Sequence, residues 1–336
     1  MAKVFVTGIA GFLGSHLADA LLAAGHEVVG NDNLSEGDRS NVARDVVFHH
    51  LDCNDRDTLA LAMKGCEAVV HCAANPYEAL SIFSPYYIMM NGIAASVSTF
   101  SAAISAGVRR IVYLSSAARY GNVPVPYTEE SETRPVDPYA IGKRAGEDFL
   151  WSLCEAHGTE YVIAVPGNII GPRQRYDSPY RGVVSIFINL ALQNRPLIIF
   201  GDGEQKRRFA PVDSCVDALT RMALNSVNGE IINIGPTIGT AISINDLAAL
   251  VWSACGHNGP AKIKYVPERV GDVKFAYCDV TKSVQMLGYH HGMSLVQCID
   301  AMVEDVRTRG PRPFNYSLPI EIQNKRTPTA WTERMF

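Results

Sequence analysis

Tyr139 and Lys143 in YAIGK, together with Ser116 at the end of IVYLSS, are the side chains whose types and spacing could do chemistry. All three lie in the stretch 113–143, which opens as an apolar strand and closes as a helix start. Asp137 suits an N-cap, because its carboxylate can accept a free backbone N–H, and Pro138 suits the first helical position, where no N–H is needed. Tyr139 and Lys143 then stand at i and i+4 on one helical face. A free phenol, with a pKa of about 10, is a poor base at neutral pH. An ammonium about 4 Å away, at an effective dielectric near 20, stabilises the phenolate by about 4 kcal/mol. That lowers the pKa by about 3 units before any desolvation penalty. A second cation bound alongside pushes the same way, giving a general base near pH 7. Ser116 falls at the C-terminal end of its strand, where open α/β sheets bind ligands. Tyr-x-x-x-Lys alone reads equally well as a surface pair one turn apart; Ser116 and the start of the chain give it weight.

The elements that must position these residues begin at once. KVFVT (3–7) is a buried-strand run, followed by Gly8-x-x-Gly11-x-x-Gly14 and the amphipathic SHLADALLAAGH. Strand, glycine turn and helix together let backbone N–H groups approach a pyrophosphate at a helix N-terminus. The next strand, EVVGND, ends in Asp32, about 20 residues on, where a ribose-binding acid belongs. A carboxylate there repels a 2′-phosphate, so the cofactor read from the sequence is NAD. VVFHHLDCND (46–55) is a third strand; Asp52 at its end either meets the adenine edge or caps the next helix. EAVVHCAAN (67–75) is a fourth strand, its end passing near the cofactor. A helix runs from about Asn91 to Ala106, IVYLSS is strand five, and EYVIAVPGN is strand six, ending at Asn168. This alternation predicts an α/β fold, a Rossmann-type doubly wound parallel sheet.

From Gly171 the rhythm breaks. GPRQRYDSPYRGV is a loop rich in turn formers, and PLIIFGDGEQKRRF carries a strand and an exposed basic turn at Arg207 and Arg208. Ser243-x-x-Asp246 resembles a capping box. Arg269 falls in a Pro/Gly-bounded loop, and the Pro-rich tail is expected to lie extended over the surface.

Composition narrows the possible functions. The chain has 336 residues and a net charge of −4, with acids and bases interspersed. No basic run suits nucleic acid, and no apolar segment reaches the length of about 18 residues that a membrane span needs. The first residues enter a strand directly, so no leader is expected. The eight cysteines include no C-x-x-C pair and read as free thiols in a reducing, cytoplasmic compartment. The histidines, including the adjacent pairs His49-His50 and His290-His291, show no ligand spacing, and no metal site is expected.

Over at least residues 1–310 the chain resembles the extended short-chain dehydrogenase/reductases, and within them the nucleotide-sugar 4-epimerases of the UDP-glucose/UDP-N-acetylglucosamine kind. The resemblance is carried by TGIAGFLGSH, DNLSEG with Asn41, SSAARYG, YAIGK, SPYRGVVSIF and GDGEQKRRF. It implies an NAD-binding domain over 1–170 with a return segment at about 209–222, a smaller UDP-sugar domain over 171–310, and a tail over 311–336. It also implies roles. Gly8, Gly11, Phe12, Leu13 and Gly14 would lie against the pyrophosphate, Asp32 on the adenosine ribose, and Asn33, Leu34, Asp52 and Ala73 along the cofactor. Lys143 would bind the nicotinamide ribose, Tyr139 would be the base, and Ser116 would hold the sugar oxygen. Asn168, Arg207 and Arg269 would hold the UDP diphosphate, since a guanidinium fork meets phosphate oxygens two at a time.

The resemblance further implies epimerisation at C4 through a transient 4-keto sugar, and a homodimer packed through the helices starting near Asn91 and Pro138. Two departures refine it. Related 4,6-dehydratases carry an Asp-Glu pair where this chain has Ala117 and Ala118, which disfavours dehydration. Ala276, four residues past Asp272, occupies the position that lines the sugar's 2-substituent; a small residue there leaves room for an N-acetyl group. A register shifted by one would instead place Phe275 or Tyr277 there. The expected substrate is therefore UDP-N-acetylglucosamine/UDP-N-acetylgalactosamine, with UDP-glucose/UDP-galactose also in view. The rival readings are a uronate epimerase, with Arg119 or Arg208 meeting the C6 carboxylate, another sugar-nucleotide oxidoreductase, and a silent NAD-binding regulator.

Overall fold

A computed structural model describes residues 1–237, 239–288 and 292–336. The His290-His291 pair lies outside them. Six strands follow the expected alternation: β1 (Lys3–Thr7), β2 (Glu27–Asp32), β3 (Val47–His50), β4 (Ala68–His71), β5 (Arg110–Leu114) and β6 (Glu160–Pro166). Glu230–Ile234 adds a seventh, in the order Glu230–Ile234, β6, β5, β4, β1, β2, β3. Every pairing in this sheet is parallel, as helical crossovers require. The inner strands β1, β4, β5 and β6 are near-continuous apolar runs because both faces are covered. Leu17 and Leu21 of helix Phe12–Ala23 and Leu219 of helix Val212–Leu224 fill one face. Leu59, Phe100 and Leu150 fill the other. Chain order reverses on either side of β1, so a crevice opens at the C-terminal ends of β1 and β4.

A second core is built on helices Val183–Leu192, Ile244–Ala254 and Leu295–Arg309, with Leu197–Phe200 paired to Ile263–Val266. It takes in residues from before Gly171 too: Tyr77, Leu80 and Phe83 are buried in it. The tail corrects the expectation of a purely surface course. Residues 311–328 run without regular structure, but Thr329–Thr332 forms a helical turn that buries Trp331, and Phe336 is buried as well. Trp331 meets Phe83 and Tyr180 edge-on, at 5.9 and 5.0 Å between ring centres. A tail so rich in proline gave no periodicity from which this anchoring could be read.

The helix expected from Asn91 begins earlier. Pro85–Met89, a π turn over Met90–Ala94 and Ala95–Ser105 form one run of 21 residues containing an 18-residue stretch of mean hydropathy 1.3. By length and composition it could cross a membrane, which corrects the reading that no segment approached that length. Tyr, Asn and Ser residues scattered along it masked its continuity. Phe100, Ala102 and Ala103 are buried against the sheet, and the Phe100 ring meets Tyr113 edge-on.

Candidate active site

The crevice continues into the second core as one cleft of about 820 Å³. The residues expected to bind the cofactor or substrate or to catalyse line it: Gly8, Gly11, Phe12, Leu13, Gly14, Asp32, Asn33, Leu34, Asp52, Ala73, Ser116, Tyr139, Lys143, Asn168, Arg207, Arg269 and Ala276.

One end is a cradle of backbone. Gly8 has a left-handed φ of +66°, and a Cβ on it would sit 2.7 Å from the Ala73 Cα. The Ala73 N–H donates to Thr7 Oγ1 at 3.1 Å, which fixes that approach. A Cβ on Gly14 would come within 2.2 Å of the Gly8 carbonyl oxygen, so helix and turn can pack this closely only without side chains. Gly11 caps the helix with no side chain over its free N–H groups, which leaves them open to an anion. Asp32 accepts from the Ala10 N–H at 3.0 Å and the Leu34 N–H at 2.8 Å. Burial pushes its carboxyl up, and these backbone bonds oppose the shift. Asp52 holds Asn33 at 2.7 Å and Asn54 at 2.9 Å, whereas the following helix is capped by Asp55. A dinucleotide pyrophosphate fits the open cradle, and an unmodified ribose fits the Asp32 carboxylate.

The middle of the cleft is set by the helix Pro138–His157. Asp137 accepts from the Ala140 N–H at 2.8 Å, with Pro138 in the first turn, as its sequence requires. Tyr139 and Lys143 are both buried, and Ser116 accepts from the Ala118 N–H at 3.2 Å. The Lys143 ammonium donates to the Leu114 carbonyl at 2.7 Å and lies 6.0 Å from the Tyr139 ring centre. The expected low phenol pKa is not a property of the chain alone. Burial raises it, the Glu78 carboxylate raises it further, and the Ser116 hydrogen bond only partly opposes them. Burial also pushes Lys143 down to about 8.

Behind this layer Glu147 accepts from Ser115 and pairs with Arg119 at 2.9 Å. Both partners are buried. Arg119 is therefore turned away from the cleft and cannot meet a sugar carboxylate there. Arg208 donates to the Pro236 carbonyl at 3.0 Å and does not line the cleft either.

The far end comes from the second core. Arg207 corrects the expected exposed turn: Lys206–Arg207 is a short strand pairing Arg207 with Ala276. Its guanidinium donates to the carbonyls of Val273 and Lys274 at 2.6 and 3.2 Å. Arg269 stacks 4.4 Å over Phe200 and pairs with Asp272 at 3.0 Å. Asn168 takes a left-handed φ of 38° and donates to the Ala276 carbonyl at 3.4 Å. Ala276 lines the cleft, whereas Phe275 and Tyr277 do not. Sequence reasoning missed Glu78, Arg181 and Phe336, which also line it. Glu78 and Arg181 belong to no recognisable spacing, although Arg181 lies inside SPYRGVVSIF. Among the described residues no group of three His, Cys, Asp or Glu side chains could hold a metal ion.

Residues 4–235 match the NAD dependent epimerase/dehydratase family. A UDP-glucose 4-epimerase of Mycolicibacterium smegmatis is 34% identical over 317 residues, 91% of this chain and 99% of that protein. The UDP-glucose 4-epimerase of Thermotoga maritima, solved with UDP-glucose, superposes with a TM-score of 0.85 at 32% identity, covering 91% of this chain and 99% of that one. A UDP-N-acetylglucosamine 4-epimerase of Methanobrevibacter ruminantium, solved with UDP-N-acetylmuramic acid, also superposes with a TM-score of 0.85. It is 30% identical and covers 92% of this chain and 99% of its own.

Proposed function

The chain belongs to the NAD-dependent epimerase/dehydratase family, in its nucleotide-sugar 4-epimerase branch, and from that premise we propose that it inverts C4 of a UDP-hexose, foremost UDP-N-acetylglucosamine/UDP-N-acetylgalactosamine. One observation carries the reading: Tyr139 and Ser116 open onto the same cleft as the glycine cradle and the two arginines, Arg207 and Arg269.

NAD, when bound against these residues, would supply the hydride acceptor and donor for C4. Everything else falls to the chain. Gly8, Gly11 and Gly14 hold the pyrophosphate, Asp32 the adenosine ribose and Lys143 the nicotinamide ribose. Tyr139 removes the proton of the 4-hydroxyl as the carbonyl forms and gives it back when the alcohol re-forms, with Ser116 orienting the oxygen. Arg207, Arg269 and Asn168 keep the diphosphate fixed while the 4-keto sugar turns its other face. Ala276 leaves space beside C2 for an N-acetyl group, which supports the N-acetylated substrate. Ala117 and Ala118 carry no acid or base for loss of water, so epimerisation rather than dehydration follows.

The same reading extends to assembly. Tyr86, Met90, Ile141, Phe149 and Trp151 are large apolar side chains left exposed on the helical run from Pro85 and the helix from Pro138. A two-fold pairing of those helices would cover them, and we take the working form to be a homodimer. The eight free thiols, seven of them buried, suit a reducing cytoplasm.

Proton NMR of the purified protein with UDP-N-acetylglucosamine, UDP-glucose and UDP-glucuronate tests the assignment. Inversion at C4 of the first is expected; turnover of none of the three would sink it.

A further inference from the structure

The helix Pro138–His157, which carries Tyr139 and Lys143, bears a third polar residue on the same face: Glu147, one further turn along. Its side chain is 3% exposed. One carboxylate oxygen accepts from the Ser115 hydroxyl, and the other pairs with the Arg119 guanidinium at 2.9 Å. Arg144, 3.8 Å away and partly exposed, is the weaker neighbour. Ser115 and Arg119 stand on either side of Ser116. Ser115 lies just past β5, where its N–H donates to the Ala164 carbonyl at 2.8 Å. Arg119 belongs to the turn Ala117–Tyr120 that Ser116 caps, and its N–H donates to the Ser116 carbonyl at 3.0 Å.

The same strand end is tied to the helix at two more points. The Lys143 ammonium donates to the Leu114 carbonyl at 2.7 Å, and the Tyr113 hydroxyl donates to the Lys143 carbonyl at 3.3 Å. Gly146 permits this approach, since a Cβ on it would lie 2.4 Å from the Tyr113 hydroxyl oxygen. Tyr113, Leu114 and Ser115 are thus held through Lys143 or Glu147, and the Ser116 hydroxyl is left to meet Tyr139.

Stability alone does not account for the buried pair. Taking two charges out of water offsets most of their attraction. Arg119 also leaves its Nε and Nη1 buried without an acceptor, which is unfavourable. What the pair supplies is a fixed span between the helix and the turn.

Resting on the epimerase reading, we propose that Glu147 is a positioning residue for the reaction: through Ser115 and Arg119, its carboxylate sets Ser116 against the Tyr139 phenol. Proton transfer between the phenol and a sugar hydroxyl needs hydrogen-bond distance, and a displacement of about 1 Å costs on the order of 10²-fold in rate. A carboxylate that grips both flanks of Ser116 from the helix of Tyr139 holds that distance.

A double-mutant cycle on the NAD-loaded, full-length enzyme tests this, using whichever of UDP-N-acetylglucosamine and UDP-glucose the wild type inverts. Its members are the wild type, Ser116→Ala, the paired replacement Arg119→Met with Glu147→Leu, and all three changes together. The paired replacement removes both charges at once, so its melting temperature should stay near that of the wild type. Its kcat should fall about 10- to 100-fold, with KM and NAD affinity changed less than about twofold. With Ser116→Ala already present, the pair should cost almost nothing further, because Glu147 acts through Ser116. A wild-type kcat in the paired variant overturns the proposal. So do losses that multiply, which would mean that Glu147 acts through the fold or through the charge it lends Lys143. If the paired variant does not fold, Glu147→Gln in the same cycle decides between the same outcomes. A wild type that inverts no UDP-sugar condemns the epimerase reading instead.

Discussion

The Lys143 ammonium lies 6.0 Å from the centre of the Tyr139 ring, pinned at 2.7 Å to the carbonyl of Leu114. The helix thus fixes a positive charge one turn beneath the phenol, but burial still holds the phenol protonated in the chain by itself. Only with a second cation beside it, the oxidised nicotinamide, should Tyr139 ionise near neutral pH. Activity of the loaded enzyme should therefore rise with pH through one ionisation. Tyr139→Phe should lower kcat by about 10² to 10⁴-fold and remove that pH limb, read from kcat profiles of both proteins.

Lys143 also marks the chain's stability. Its folded pKa is about 8 against an ordinary 10.5. Between those values the unfolded chain binds the extra proton, so stability should rise with pH across that window, by up to about 3 kcal/mol from this group. Below pH 8 the full penalty of burying the charge is present. Denaturant titrations of wild type and Lys143→Met should show this rise in the wild type only, while the variant loses activity.

Asp32 joins cofactor choice to local structure, because its two oxygens already hold Ala10 and Leu34. Asp32→Asn keeps one acceptor and removes the charge. NAD affinity measured by fluorescence titration should fall about 10- to 100-fold, with no compensating tight binding of NADP, since no cation replaces the carboxylate.

Ala276 pairs with Arg207, next to the place proposed for the diphosphate. Ala276→Tyr should reduce kcat/KM for UDP-N-acetylglucosamine at least about tenfold more than for UDP-glucose. Equal losses would show that the 2-substituent lies elsewhere.

Residue spacing and local chemistry made much of this legible. The strand–glycine–helix opening, the Asp137-Pro138 cap and the strand-end Ser116 are local signals, and each sits where its chemistry placed it. Relationships between distant segments were not legible. Arg119 pairs with Glu147, 28 residues on, because a turn folds back against a helix face. Arg207 is drawn in by carbonyls 66 and 67 residues away. Trp331 anchors a tail whose prolines carry no period. The phenol's raised pKa was missed for the same reason: desolvation depends on the packing of the whole cleft, whereas an i, i+4 pair is visible in five letters.

The central claim is that C4 is oxidised and reduced again within one cleft, by the same Tyr139. The most direct test is to supply a UDP-N-acetylhexosamine deuterated at C4 to the purified enzyme in ordinary water and to follow inversion and label together by NMR. The account predicts the inverted sugar with deuterium still on C4. Inversion with the label exchanged for solvent hydrogen, or no inversion while the 4,6-positions change, would contradict it.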